Sequence, residues 1–162
     1  MSPRPRLGFP LPSDAVPRPP LASLEALFAG DALAALPRGL VRGHFLGPVA
    51  SRGAGRLSVR VLDAILFRAV RWGLDLDAKR WWFEDPRLAA GHFRLVEGPS
   101  RWRDARVLQV HYDVSRLPLR GILYDELKPL ADGRVLGLGG LNAERGEGDH
   151  FFFELAPLGD TR

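Results

Sequence analysis

The sequence predicts a mainly β (α+β) fold: an antiparallel up-and-down barrel, or a strongly curved sheet, with two helices on its N-terminal side. Three observations predict it. The stretch RGILYDELKPLADGRVLGLGGLN, Arg120 to Asn142, reads as two strands around a turn. Other short alternating segments surround it with tight turns between them, which favours a sequential antiparallel meander. Gly137, Gly139 and Gly140 lie inside the second strand, where glycine marks a bulge, a barrel corner, or a close approach of ligand or backbone.

Composition narrows the class. The 162 residues suit one domain, with the core placed in residues 21–158. Such a chain buries roughly 68–70% of its unfolded surface, enough for a core without staples. There is no cysteine, which excludes disulfides, thiolate metal sites and cysteine nucleophiles and fits a cytoplasmic location. The net charge is +4, almost all of it arginine, and no basic run carries interleaved aromatics, so no nucleic-acid partner is expected. No segment approaches the roughly 20 apolar residues of a membrane span, and the first residues do not read as a secretory signal.

Residues 1–20 hold seven of the fourteen prolines and read as a disordered or polyproline-like arm, in which Leu7, Phe9 and Leu11 alternate. The first helix is expected over 23–36. Ser23 can cap it, Glu25 suits its first turn, and Leu24, Leu27, Phe28, Ala32 and Leu36 keep helical spacing. Gly30-Asp31 can split it, and Pro37 and Gly39 stop it. Leu40 to Val49 is a short strand with glycine breaks, followed by the loop ASRGAGR. The second helix is expected over 57–72, where Val61, Leu62, Ile65, Leu66, Ala69 and Val70 form an apolar stripe; a strand reading stays open for Leu57 to Val61.

From Leu74 the chain turns β. Leu74 to Phe83 reads as one strand, with Leu76, Arg80 and Trp82 on one face and Trp81 on the other. Glu84-Asp85-Pro86 is a turn, Gly91 to Glu97 a strand, and Gly98 to Asp104 a loop anchored by Trp102. Arg106 to Val114 places Leu108, Val110 and Tyr112 on one face and His111 and Asp113 on the other. In the hairpin, Tyr124 and Glu126 share one face and Asp125 takes the opposite one; Ala131-Asp132-Gly133 is the turn. His150 to Leu155 is the last strand. The total is six or seven strands.

Leu36-Pro37-Arg38-Gly39 with Gly43 and Gly47, the aromatic strand around Trp81 and Trp82, and Tyr124-Asp125 with Leu136 to Gly140 together resemble the calycin group of lipocalin-like barrels. They are also similar to GXWXG-type domains of uncharacterised bacterial proteins. The tryptophan between glycines of that family is missing, since Leu40 to Arg42 occupies its place. The resemblance implies a barrel and a small apolar ligand, and it transfers no catalytic residue.

On this reading Arg80, Trp82, Tyr112, Tyr124, Asn142, Phe151 and Phe153 are candidate ligand-binding residues, the aromatics as lining and Arg80 and Asn142 as polar contacts. An inward Arg80 needs a carboxylate partner, Asp125 or Glu126, or an anionic ligand; at a barrel mouth its head stays wet. His111, Tyr124 and Asp125 are candidate acid/base groups. The polar face of His111 and Asp113 equally suits the wet outer side of an antiparallel strand. His44, His92, His111 and His150 have no metal-ligand spacing, and no metal or cofactor is expected. Three functions are open: binding of a small, largely apolar lipid, terpenoid or polyketide-like ligand; an isomerase or cyclase acting on such a molecule; and an interaction domain that uses the proline-rich arm.

Overall fold

The computed structural model describes residues 20–49, 70–115, 120–121, 123–144 and 147–158. They form an antiparallel, nearly closed β-barrel of nine strands with one helix on its outer surface. The order along the chain is α1 (Leu21–Phe28), β1 (Leu40–Pro48), β2 (Trp72–Asp75), β3 (Arg80–Phe83), β4 (Asp85–His92), β5 (Arg94–Pro99), β6 (Arg106–His111), β7 (Leu123–Pro129), β8 (Val135–Glu144) and β9 (Glu147–Pro157).

The sheet order is β4-β3-β2-β1-β9-β8-β7-β6-β5. The first and last strands pair, Val41 with Pro157 through Phe45 with Phe153, so the meander bends back on itself. The two edge strands, β4 and β5, are joined through the single residue Phe93, which is buried. That connection holds the open seam together where hydrogen-bonded pairing stops.

Register assigns the faces. Val41 opposes Leu74, Leu74 opposes Trp81, and Val135 opposes Leu155. These residues, with Trp72, Phe93, Val110, Tyr112, Leu127, Phe151 and Phe153, make the interior cluster. The alternate residues of β6 to β9 form a second cluster outside, where Leu24 and Phe28 of α1 and Trp102 cover Val107, Leu136, Leu138 and Phe152. Phe28 meets Phe152 edge-on at 5.8 Å and Trp102 at 6.0 Å. Burying aromatics of this size contributes about 1.5–3 kcal/mol each, so α1 is held by packing rather than by its eight residues' intrinsic helicity.

The hairpin glycines have a packing role. A Cβ on Gly137 would stand 2.1 Å from the Phe153 ring, and one on Gly139 would stand 2.3 Å from Phe151 and 2.8 Å from Asp125 Oδ1. The aromatic rings of β9 therefore lie across the bare backbone of β8. Gly43 receives the Trp72 ring and Gly73 the Trp82 ring in the same way. The close approach at Gly137 and Gly139 is thus made by aromatic side chains, not by a ligand or by backbone as the sequence reading expects.

Two expectations are corrected and a third lies mostly outside the described residues. The helix over 23–36 ends at Phe28, and 32–38 is non-helical. Gly30, at φ +83, leaves the helix and bridges to Ala105, and the buried Lys128 ammonium binds Gly30 O and Arg106 O. The helix over 57–72 falls outside the described residues but for its end, where Trp72 opens β2, so one helix is present among the described residues. The strand over 74–83 is two strands. Asp75 Oδ1 accepts from the amides of Asp77 and Ala78, and Lys79 turns at φ +53, forming a tight turn without glycine or proline. That turn reverses the chain and moves Arg80 and Trp82 to the outer face.

Candidate functional site

The β6–β7 ladder is short. Leu108 pairs with Leu127, Gln109 with Glu126 and Val110 with Asp125, and there the pairing ends. Beyond it His111 and Tyr112 on one side part from Leu123 and Tyr124 on the other. A recess of about 200 Å³ opens in this wedge. From β6 and its end it is lined by Gln109, Val110, His111 and Tyr112; from β7 by Leu123, Tyr124 and Asp125; and at its rim by Arg101, Arg120 and Gly121.

The wedge cuts through the barrel wall, so it meets both faces. Asp125 points inward, in register with Gly139, and the Tyr112 hydroxyl donates to its Oδ2. Burial pushes the Asp125 carboxyl up to about 7, against the lowering effect of the Tyr112 bond, and the neighbouring Glu126 pushes it in the same direction as burial. Burial likewise holds the Tyr112 phenol well above its usual range. A carboxyl that changes charge near neutral pH and a neutral phenol thus line the recess from the apolar interior.

Tyr124 and Glu126 share a face, as their spacing requires, and that face is the outer one. Both are buried there beneath the 99–105 loop. Glu126 Oε2 accepts from Ser100 Oγ at 2.5 Å and Oε1 from the Arg101 amide at 2.6 Å, while Ser100 Oγ accepts from the amides of Trp102 and Arg103. Burial raises the Glu126 carboxyl above its ordinary value, and these bonds oppose that rise. Glu126 therefore positions the loop that carries Arg101. The Arg101 guanidinium lies 5.6 Å from the centre of the Tyr124 ring, a cation–π arrangement. The Tyr124 hydroxyl is buried with no hydrogen-bond partner among the described residues, and burial moves its ionisation well above the ordinary range. Arg120 Nη1 donates to Ser115 O at 2.7 Å.

The structure brings Tyr112, Tyr124, Asp125 and His111 to one recess. His111 Nε2 lies 3.2 Å from Gln109 Oε1 on the outer face; Asp113, its supposed partner, is bound bidentately by Arg94 at 3.0 and 2.9 Å. Phe151 and Phe153 lie inside the barrel behind Asp125, over the hairpin glycines. Arg80 and Trp82 are elsewhere. Arg80 Nη2 is 3.5 Å from Asp75 Oδ2, neither Asp125 nor Glu126, and Trp82 packs on Gly73 outside. Asn142 falls within β8, and its side chain lies outside the described set. Arg101, Arg120 and Gln109 were not signalled by the sequence. Arg101 reaches the site only through the Glu126 clamp, and no periodicity carries that contact.

A larger groove of about 500 Å³ lies outside the barrel between Gly30-Asp31 and residues 98–106. Its cations are already engaged: Arg103 with Glu25 at 3.6 Å and over the Trp102 ring at 4.0 Å, and Arg106 with Glu97 at 2.5 Å. No group of three or more His, Asp or Glu able to hold a metal occurs among the described residues, and no described helix is long and apolar enough to cross a membrane. No protein-family model, no curated protein and no solved structure matches the chain.

Proposed function

We propose that the protein binds a small, largely apolar molecule of lipid, terpenoid or polyketide-like type, whose polar end enters the β6–β7 recess. The observation that carries this reading is the buried Tyr112–Asp125 pair, an internal polar group facing a recess in an otherwise apolar barrel. Ligand sites combine an apolar body with a few convergent polar groups, and strongly shifted carboxyls concentrate at such sites. The recess is smaller than the roughly 300–1,000 Å³ of drug-sized pockets, which suits one end of a ligand or a compact one. The calycin-like relationship belongs to the same proposal and rests on barrel architecture and the glycine-rich hairpin.

Native mass spectrometry beside the denatured mass tests it. A non-covalent mass that is lost on denaturation, and that is absent from D125A purified in parallel, supports the reading. A bare protein mass, together with no binding of either 3-phenylpropanoate or its amide by calorimetry, counts against it.

A second reading is proton-transfer catalysis, as in an isomerase or cyclase. It is favoured by the Asp125 value near 7, where a group serves as both acid and base. D125N separates the two: under this reading the variant binds the molecule and no longer converts it.

A further inference from the structure

Resting on the binding reading above, the geometry of the recess points to the class of its ligand. Two guanidinium groups line it, Arg101 and Arg120. Neither forms an ion pair with a described residue: Arg101 lies over the Tyr124 ring and Arg120 donates to the Ser115 carbonyl. Several arginines elsewhere on the barrel are paired, among them Arg94 with Asp113, Arg106 with Glu97 and Arg134 with Asp132 and Glu154. The recess is also lined by Tyr124, whose hydroxyl is an orphan donor among the described residues, and by Asp125. Two guanidinium groups with no ion-pair partner among the described residues thus line one recess, and a guanidinium pairs best with an oxyanion.

We propose that the recess takes a small monoanion, held by Arg101 and Arg120 and by the Tyr124 hydroxyl, and that Asp125 must carry its proton for the anion to enter, so that binding takes up a proton from solution. The reason is charge. An ionised Asp125 would repel the anion across a small desolvated space, whereas its acid form donates a hydrogen bond to it. The step is A⁻ plus H⁺ plus the Asp125 carboxylate giving A⁻ bound to the Asp125 carboxylic acid, with no covalent bond made or broken. The groups facing Asp125 are Tyr112 at the end of β6 and, through its own strand, Glu126; β8 and β9 present Gly139 and Phe151, which do not titrate. Tyr112 stays a phenol at these pH values, and Glu126 is turned outward onto Ser100 and Arg101. His111 also lines the recess, with its Nε2 against Gln109 Oε1, so loss of the uptake in D125N is what assigns the exchanged proton to Asp125. Above about pH 7 it is mostly ionised, so uptake grows toward one proton; well below, it is already protonated and uptake vanishes.

The test is calorimetry of the full chain with 3-phenylpropanoate and its neutral amide, at pH 7.5 and 5.5, in two buffers of different protonation enthalpy. The expected result is tighter binding of the acid than of the amide, with about half to one proton taken up at pH 7.5 and close to none at pH 5.5. R101Q and R120Q, both at the rim, weaken the acid roughly fivefold to tenfold and leave the amide within about twofold. D125N removes the proton uptake. Amide bound as tightly as acid, or acid bound with no proton uptake at pH 7.5, overturns the monoanion inference and leaves the binding reading standing. Neither compound bound removes both. The wild-type measurement decides the matter even if D125N fails to fold.

Discussion

The Tyr112 hydroxyl donates to Asp125 Oδ2, joining the end of β6 to β7 at the point where the two strands part. This bond fixes a carboxyl inside the barrel that stays protonated up to about pH 7, whereas the unfolded chain releases that proton near 3.8. Between these values the native state holds the extra proton. Stability from this group is therefore full below the lower value, falls as pH rises, and is lost above the upper one, by about 1.4 kcal/mol per pH unit at the steepest. The urea midpoint of wild type should fall relative to that of D125N between pH 5 and 7. His44, whose value is lowered by burial, acts in the opposite sense, and the comparison with D125N cancels it. Parallel pH profiles for the two proteins would contradict the assignment.

Replacing Tyr112 by Phe removes the one hydrogen bond that lowers the Asp125 value. The carboxyl of Asp125, followed by its carbon resonance in labelled protein, should then titrate above its wild-type midpoint. A midpoint that moves down would mean that Tyr112 does not stabilise the carboxylate.

Gly137 is the tightest test of the barrel's packing. Adding one methyl there drives it into the Phe153 ring, which is itself wedged edge-on against Trp72 at 5.6 Å. G137A should cost about 1–3 kcal/mol by urea unfolding, and F153L in the same chain should recover part of that loss. Additive losses in the double variant would show that the two positions do not meet.

The clamp on the Arg101 loop predicts a local effect. S100A removes a donor to Glu126 and an acceptor for the Trp102 and Arg103 amides. It should cost about 1–3 kcal/mol and speed hydrogen exchange at the amides of 101–103 more than in β8. Uniform acceleration would place the effect in global stability instead.

The barrel was legible where alternation ran long. Leu123 to Pro129 and Val135 to Glu144 follow the predicted hairpin closely, and Leu108, Val110 and Tyr112 face inward as their spacing indicates. The 76–79 turn was missed because its signal is an aspartate side chain capping two amides, not Gly or Pro. That single turn decided the faces of Arg80 and Trp82. Tyr112, Tyr124 and Asp125 could be chosen from polarity and position, but their meeting depends on β6 and β7 splaying after Val110–Asp125, which no local pattern encodes. Arg101 joins them through a contact spanning 25 residues, from its amide to Glu126.

The most direct test of the recess as the binding site is a proton–nitrogen NMR titration of labelled protein with 3-phenylpropanoate. Shifts should concentrate at the amides of 109–112, 123–125 and Arg101, and should shrink in D125A. Shifts centred on Gly30 and residues 98–106 outside 101, or spread evenly over the barrel, would contradict the account.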